Sequence, residues 1–255
     1  MVKYTSRVIK SFKLFFTLFN VYNFHNIKLL NISQQIQVLY PSSLLVVIIT
    51  AFFMGLVFSL QIVKEFIYLN AINLVGSIIT LAFLRELSPV LTSIILIGKI
   101  GSYFTAELGT MVITEQIEIL YILGINPINY LIIPRIISFI VILPIFNLIS
   151  FITSICSSCF ICFCLYNVDA NLFFDSILSS LSFIDIIKSC LKVIVFGFFI
   201  SIISCVWGLT TQGGSKGVGI STTSAVVTSL LIVCMLDFIL SYFLFNSLDS
   251  SLKIT

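Results

Sequence analysis

Charged residues are scarce in this 255-residue chain, since Asp, Glu, Lys and Arg together make up only 9% of it. A typical soluble domain contains about 25%. Hydrophobic residues account for 59%, and the mean hydropathy is +1.21. These values exclude an ordinary soluble protein and predict a polytopic membrane protein. At about 20 residues per span, the length allows roughly five or six transmembrane helices and leaves no room for a second, soluble domain.

Histidine is nearly absent, because His25 is the only one in the chain. No carboxylate or cysteine lies near it in sequence, so neither a Ser/His/Asp nor a Cys/His catalytic set can be built around it. The HExxH zinc motif is missing as well. We therefore predict that the chain is not an enzyme and has no catalytic residue. The formal net charge of +3 is too small to indicate nucleic acid as a partner.

Two stretches superficially resemble cofactor sites, but their spacing is wrong. Cys156, Cys159 and Cys162 have the spacing of iron–sulfur ligands, yet the next cysteine follows after one residue and the surroundings are apolar. Free cysteines in such surroundings pack as small hydrophobic residues. The glycine-rich stretch 213–219 is not a phosphate-binding loop, because a glycine follows its lysine. The sequence therefore predicts no metal, no cofactor and no ATP binding by this chain itself.

Basic and aromatic residues alternate at helical spacing over the first 30 residues, where Lys3, Arg7, Lys10 and Lys13 are interspersed with phenylalanines. This pattern predicts an amphipathic helix in the membrane surface, with its basic side chains near anionic head groups. A transit peptide is the alternative, although such peptides are rich in Arg and Ser. We divide the chain into an interfacial segment, 1–40, and a transmembrane domain, 41–255. The N-terminus is expected on the cytoplasm-like side.

The number of spans depends on Arg85 and Glu86, which separate an apolar run over residues 66–84 from another over residues 87–106. A single helix over residues 70–108 would be about 58 Å long. The hydrocarbon core is only about 30 Å thick. Two spans, or one long helix that bends near the following proline and projects beyond the bilayer, are both compatible with the sequence.

Lys99, Glu107 and Asp237 are further charges in membrane-length segments. An ionisable residue inside a span is a candidate functional residue, because charge is costly there. Lys99 and Glu107 lie roughly 80° apart around a helix, so their spacing does not assure a direct pair. For Asp237 one alternative is a functional role, and the other is a structural one, either a position near the interface or a hydrogen bond to a serine or threonine on a neighbouring helix. We favour the structural alternative slightly.

Small residues recur at four-residue spacing in Gly98, Ser102 and Ala106, with Gly101 beside them. Such spacing lets helices approach closely in lipid. The stripe is compatible with packing inside one subunit, and equally with a subunit interface or the wall of a substrate path.

A short amphipathic helix is predicted between residues 110 and 124, ending at Gly124 because Pro127 prevents its continuation. Its polar residues are Thr114, Glu115, Gln116 and Glu118, and its apolar stripe contains Ile113, Ile117, Leu120, Tyr121 and Leu123. A connector surrounded only by water would need no such stripe. The pattern therefore indicates a helix that docks against another protein.

Several separated motifs, in a fixed order, make the chain similar to a known family. The first block is Leu84-Arg85-Glu86-Leu87-Ser88-Pro89-Val90, Gly98-Lys99-Ile100-Gly101-Ser102, Ala106-Glu107-Leu108-Gly109-Thr110-Met111, Thr114-Glu115-Gln116, Gly124-Ile125-Asn126-Pro127 and Pro134-Arg135. The second is Gly217-Val218-Gly219-Ile220, Thr222-Thr223-Ser224-Ala225-Val226-Val227 and Asp237-Phe238. Over most of residues 40–245 the chain resembles the MlaE-type permeases, membrane subunits of ABC transporters that move phospholipids between membranes. Its composition is similar to that of plastid-encoded algal members.

The resemblance implies an all-α fold with five transmembrane helices, the second of them long and bent. It also implies a homodimer, a separate ATPase, a partner with a lipid-binding MCE domain, and a plastid inner envelope or bacterial inner membrane. Thr114, Glu115, Gln116 and Glu118 would belong to the coupling helix that docks on the ATPase. Arg85, Glu86, Lys99, Glu107 and Asp237 would be motif charges, although many relatives have Arg where Lys99 stands.

Two other functions remain open from the residues alone. A secondary transporter or channel would need ionisable residues at a midplane site and often shows internal repeats, which we do not find. A non-transporting scaffold would assemble with partners but move no lipid.

Overall fold

The computed structural model describes residues 29–245. Within this range the chain is helical and contains no strand. The interfacial helix predicted for the first 30 residues and His25 fall outside the described residues, except for the last two positions of that segment. The end of the chain beyond residue 245 also lies outside them.

Seven helical segments follow one another in the described range. They are α1 (Leu29–Tyr68), α2 (Ile72–Ile113), α3 (Gln116–Ile122), α4 (Ile128–Tyr166), α5 (Ala170–Ser180), α6 (Phe183–Leu209) and α7 (Gly214–Phe245). Five of the helices between residues 29 and 245 are long and apolar enough to cross a membrane: α2, α4, α6, α7 and the Ser43–Tyr68 part of α1. The predicted all-α membrane protein with five spans is confirmed. The boundary that we predict at residue 41 lies inside α1.

The stretch around Arg85 belongs to one continuous helix, because α2 runs for 42 residues without a break. Its α-helical turns are interrupted by two π-helical turns, Phe83–Leu87 and Ile97–Gly101. These turns contain the charges Arg85, Glu86 and Lys99. The alternative of two separate spans over residues 66–106 is therefore wrong. Single π-helical turns are frequent at functional sites, and the sequence pattern alone does not predict them.

The described chain forms two compact units, each with its own hydrophobic core. The first unit contains Ser93–Leu143, Ile194–Cys234 and α1 up to Ser43. Its core surrounds the buried Trp207 and includes Leu108 and Ile132. In this unit the last turns of α2, the start of α4 and the second half of α6 pack together around Trp207.

The second unit contains Leu44–Thr92, Pro144–Val193 and α7 from Met235 onward. In its core, Phe83 packs with Val63 of α1, and Phe173 of α5 packs with residues of α2 and α4. The unit also contains a buried hydrogen-bonded chain, in which the amide of Asn147 donates to Ser189 (2.9 Å) while its side-chain oxygen accepts from Ser88 (2.9 Å). Such links satisfy polar groups that lipid cannot solvate.

Close helix contact in the second unit depends on Gly55. A Cβ atom at this position would overlap the side chain of Ser157 and lie 2.5 Å from the carbonyl oxygen of Ser154. At Gly98, by contrast, an added Cβ would have no neighbour within 4 Å in the described chain.

We therefore expect Gly55→Ala to lower the unfolding free energy by about 1–3 kcal/mol through overpacking, whereas Gly98→Ala will leave it unchanged or slightly raise it. Thermal unfolding of the two variants in the same detergent measures the difference. Equal stability of the two variants would show that the α1–α4 contact is looser than described.

Candidate functional site

The centre of the charged region in the second unit is Lys192 of α6, whose side chain is 0% exposed. Its Nζ atom lies 2.7 Å from Oε2 of Glu86 and 2.6 Å from Oδ1 of Asp237. It also donates to the hydroxyl of Ser241 (2.8 Å) and to the backbone carbonyl of Arg85 (3.0 Å). The ammonium group has three protons, so four oxygen atoms compete for three donors. We call Glu86, Lys192, Asp237 and Ser241 the lysine cluster.

Three helices supply the lysine cluster. Glu86 lies in the first π-helical turn of α2, while Asp237 and Ser241 are one turn apart on the same face of α7. The hydroxyl of Ser241 accepts from Lys192 and donates to Glu86 Oε2 at 3.0 Å. A buried ammonium is stable only when its hydrogen-bonding capacity is used. The cluster therefore joins α2, α6 and α7.

A second ion pair in this unit joins Arg85 and Asp185, with 3.1 Å between Nη2 and Oδ2. The guanidinium also lies 5.2 Å from the centre of the Phe245 ring, and Lys188 lies 5.7 Å from that centre. Including Lys192, three cations therefore face one aromatic ring near the end of α7. Glu86, Asp185 and Asp237 balance these three cations in formal charge.

The first unit contains a different ion pair, between Glu107 of α2 and Arg135 of α4. Their side chains meet at 2.8 Å, and the Arg135 guanidinium also lies 5.9 Å from the Phe104 ring. Arg135 has only 2% of its side chain exposed, against 27% for Glu107. Lys99 is exposed and forms no ion pair with any residue between 29 and 245. Glu107 is therefore paired with Arg135 and not with Lys99.

The connector between α2 and α4 contains α3, whose end follows from local geometry. Gly124 adopts φ +73°. The backbone N–H of Ile125 donates to the carbonyl of Leu120, and that of Gly124 donates to the carbonyl of Tyr121. These two bonds form a Schellman motif, which glycine favours at this φ. The predicted stop at Gly124 is confirmed, and the side chain of Asn126 then accepts from the N–H of Ile128 at the start of α4.

The two faces of α3 differ in burial. Ile117 and Leu120 are half-buried against their own chain, while Glu118, Ile119 and Ile122 point outward and are exposed. Glu115, which precedes the helix, has φ +60°, a left-handed conformation that is uncommon outside glycine. Thr114 and Gln116 are exposed as well. Part of the predicted apolar stripe thus packs inside the subunit, and a separate set of apolar and acidic side chains faces outward.

The small residues of α2 also differ from one another. Gly101 is buried, and an added Cβ there would lie 3.1 Å from the hydroxyl of Ser204 on α6. Gly98 is exposed, Ser102 donates to the carbonyl of Gly98, and Ala106 is half-buried. Gly101 therefore serves packing inside the subunit, whereas Gly98 leaves a gap on the outer surface of α2.

Comparison with known proteins places this arrangement in a family. The family model described as Permease MlaE matches residues 32–243. The chain belongs to the MlaE permease family. A probable ABC transporter permease protein, ycf63, of Pyropia yezoensis is 45% identical over 98% of this chain and 95% of its own length. The probable ABC transporter permease protein slr1045 of Synechocystis sp. is 41% identical over 85% and 82%.

A third relative is the protein TRIGALACTOSYLDIACYLGLYCEROL 1, chloroplastic, of Arabidopsis thaliana. It is 46% identical over 88% of this chain and 64% of its own length. The predicted membership of the MlaE family, and with it the prediction of an integral membrane protein, is confirmed.

Sequence reasoning missed several residues that this MlaE permease places beside the motif charges. In the sequence, Lys192 and Asp185 look like residues that lead into a span, and nothing marks Ser241 as a partner of a charge. Arg135 is noted only as part of the Pro134-Arg135 motif. One signal was available, because a carboxylate and an ammonium in separate apolar helices are stable only when paired. In residues 29–245 no three His, Cys, Asp or Glu side chains are placed to hold a metal ion.

Proposed function

We propose that the chain is the membrane permease subunit of an ABC transporter that moves phospholipids between membranes, with a separate ATPase subunit supplying the energy. Membership of the MlaE family supports this proposal, as do relatives named ABC transporter permeases. In this proposal the permease catalyses no reaction of its own. Chloroplastic and cyanobacterial relatives favour a plastid inner envelope, or otherwise a bacterial inner membrane.

The observation that carries the proposal is the outward face of α3. Ile122 is 84% exposed and Ile119 is 53% exposed, beside the carboxylates of Glu115 and Glu118. Exposed aliphatic side chains clustered on one short helix favour contact with another protein. The acidic flank requires a partner surface with basic groups. We assign this face to the ATPase, so that α3 is the coupling helix.

The coupling helix can transmit motion because it lies between two spans. α3 joins the end of α2 to the start of α4, and its half-buried residues Ile117 and Leu120 line one groove with Met111 of α2 and Leu131 of α4. ATP binding and hydrolysis in the partner would displace α3 and tilt these helices. The lysine cluster would keep α2, α6 and α7 in register during such motion, which is the role we propose for the motif charges Glu86 and Asp237.

The remaining partners of the proposal are a second copy of this chain and an MCE-domain protein that binds lipid outside the membrane. The exposed positions Gly98 and Lys99 on α2, with half-buried Ser102 beside them, support a surface open to lipid or to another subunit. We propose that Gly98, Ser102 and Ala106 contribute to such an interface or to the lipid path. We assign no separate step of transport to Arg85, Lys99 or Glu107.

The test reverses charge on the outward face of α3. We expect Glu115→Lys combined with Glu118→Lys to reduce ATPase retention in a mild-detergent pull-down at least about tenfold, because each like-charge contact with a basic partner surface costs several kcal/mol. Glu115→Asn tests the backbone separately, since asparagine tolerates the left-handed conformation and removes the charge. Glu65→Lys on α1 is a matched control, because Glu65 is also an exposed acid.

Retention of the ATPase by the double variant, at the level of the Glu65→Lys control, would refute the docking assignment. The same preparations, reconstituted in vesicles, distinguish the proposed ABC transporter from a secondary transporter and from a scaffold. Solute or lipid movement driven by a proton or sodium gradient without ATPase would favour a secondary transporter. Stable co-purification without nucleotide-dependent lipid movement would favour a scaffold.

A further inference from the structure

Glu115, which immediately precedes α3, has a backbone conformation that suits few residue types. Its φ of +60° and ψ of 11° lie in the left-handed region, where the Cβ atom of an ordinary residue comes too close to the following carbonyl oxygen. Glycine avoids this clash, and asparagine offsets it by hydrogen bonding locally. The other residues with positive φ between positions 29 and 245 are all of these two types: Asn70, Gly124, Asn167, Gly213 and Gly214. Glu115 is the exception, and such strained residues cluster at switch regions of proteins.

The bend at Glu115 is held by packing elsewhere in α3. The Glu115 side chain is exposed, and it makes no hydrogen bond that caps the helix. Ile117 and Leu120, by contrast, are half-buried in the groove that they line with Met111 and Leu131. Burial of these two side chains is favourable, and it offsets the backbone strain at Glu115. Two opposing contributions therefore determine the angle between α2 and α3.

A straighter form of this region would relieve the strain. α2 ends at Ile113 and α3 begins at Gln116, so only residues 114 and 115 interrupt what would otherwise be one helix. In the bent form, the N–H groups of Gln116 and Ile117 have no backbone acceptor among the described residues. In a continuous helix these groups would donate to the carbonyls of Val112 and Ile113. The straighter form thus gains hydrogen bonds and loses the strain, while the bent form gains the apolar burial.

The connection of α3 to α4 limits this movement. A fully continuous helix would carry Leu123 about 15 Å beyond Ile113. The chain must then return to α4 at Ile128, and even when fully extended the intervening stretch spans only about 18 Å. α3 can therefore straighten in part and remain attached to both spans.

We propose that Glu115 is a strained joint at which α3 swings between the bent form and a partly straightened form. The strain raises the free energy of the bent form, so the two forms differ little in free energy and both are populated. A force on α3 then shifts this equilibrium and moves the end of α2 relative to the start of α4. The joint is a property of the permease alone, whereas its use by the ATPase rests on the proposed function. Glu115 is in this sense a positioning residue, which acts through its backbone as well as its charge.

The test compares Glu115→Asn with Glu115→Gln. Both substitutions remove the charge, but only asparagine tolerates the left-handed conformation, so only Glu115→Asn should stabilise the bent form. Nitroxide labels are placed on unnatural residues at the exposed positions Ile122 and Lys216, which leaves the native cysteines unlabelled. Pulsed electron paramagnetic resonance then measures the distance from α3 to α7 in full-length permease without ATPase, diluted with unlabelled permease. The control pair is Thr110 and Lys216, because exposed Thr110 precedes the joint.

We expect two distances from α3 to α7 in Glu115→Gln. The population of the straighter form should be about fivefold lower in Glu115→Asn, a ratio that corresponds to about 1 kcal/mol. The control pair should give one distance that is the same in both variants. Leu120→Ala weakens the packing that holds the bent form and should raise the straighter population, whereas Leu123→Ala, at an exposed position outside the groove, should not. A single distance in Glu115→Gln, equal populations in the two Glu115 variants, or equal effects of the two leucine substitutions overturns the proposal.

A second measurement separates the joint from ATPase docking. In vesicles that contain the permease, the ATPase and ATP, the lipid moved per ATP hydrolysed should be about fivefold lower in Glu115→Asn than in Glu115→Gln, in proportion to the straighter population. Equal transport per ATP in the two variants would overturn the use of the joint in coupling. Retention of the ATPase by the Glu115→Lys, Glu118→Lys variant would instead refute the docking assignment, and would leave the distances measured in the permease alone unaffected.

Discussion

Lys192→Met is expected to be one of the two most destabilising single substitutions of a charged residue in the described chain. It removes the cation that lies 2.7 Å from Glu86 and 2.6 Å from Asp237, and leaves two carboxylates facing each other. Water reaches these carboxylates in part, since 44% of the Glu86 side chain and 24% of the Asp237 side chain are exposed. Because two like charges then face each other and the hydrogen bonds of the ammonium are lost, we expect a cost of about 3 kcal/mol, the lower end for a broken buried pair. For a chain of this size such a loss lowers the unfolding temperature by roughly 10 °C. Size-exclusion chromatography of samples heated in detergent measures this shift, as the temperature at which the monodisperse peak is lost.

The control for this prediction neutralises the whole cluster. In the triple variant Lys192→Met, Glu86→Gln, Asp237→Asn the lysine cluster itself carries no charge, and the amides can still bond to Ser241. We expect it to recover most of the lost stability, because the cost of the single variant lies mainly in the stranded carboxylates. The account of the cluster fails if the triple variant is no more stable than Lys192→Met, or if Lys192→Met unfolds at the temperature of the unmodified protein.

The second large effect concerns the Glu107–Arg135 pair, where we expect substitution of Glu107 to lower the stability more than substitution of Arg135. Glu107→Gln leaves a guanidinium that is almost fully buried without a counter-charge, and should cost about 3–5 kcal/mol. Arg135→Met preserves most of the side-chain volume and leaves a carboxylate that is 27% exposed and can be hydrated. We expect the cost of Arg135→Met to be nearer 1–2 kcal/mol, about that of one charge-assisted hydrogen bond.

Unfolding of both variants and of the double variant Glu107→Gln, Arg135→Met in one detergent tests this ranking. The double variant should be more stable than Glu107→Gln alone, since no buried charge is left unpaired. The reverse ranking, with Arg135→Met the less stable of the two, would show that the packing of Arg135 on Phe104 outweighs its charge.

Local chemistry made much of this protein predictable. The proportion of apolar residues required membrane spans, and Gly124 with Pro127 marked the end of the connector helix, where the structure has a glycine-specific cap. The outward acids Glu115 and Glu118 were recognisable because polar residues interrupt an apolar stripe. Such features depend on residues within a few positions of one another. Their assignment to ATPase coupling, like the homodimer and the MCE partner, stays a prediction.

The span count and the charge partners required the folded chain. Two π-helical turns allow α2 to continue through Arg85 and Glu86, where the sequence leaves two spans or one long helix open. Asp237 is paired with a lysine, whereas the favoured sequence interpretation was the interface or a serine or threonine. Its neighbour Ser241 does take part, but as a bridge between Lys192 and Glu86.

By itself, the sequence determined that this is an all-helical membrane protein, which residues carry charge inside its spans, and where the connector turns. Only the tertiary structure decided how those charges are neutralised. Lys192 lies 106 positions from Glu86 and meets it, whereas Lys99 has no ionic partner in residues 29–245. Helical periodicity fixes the face on which a side chain lies, but not which other helix packs against that face. In lipid, where an unpaired charge is costly, that packing decides which charges become a stable cluster.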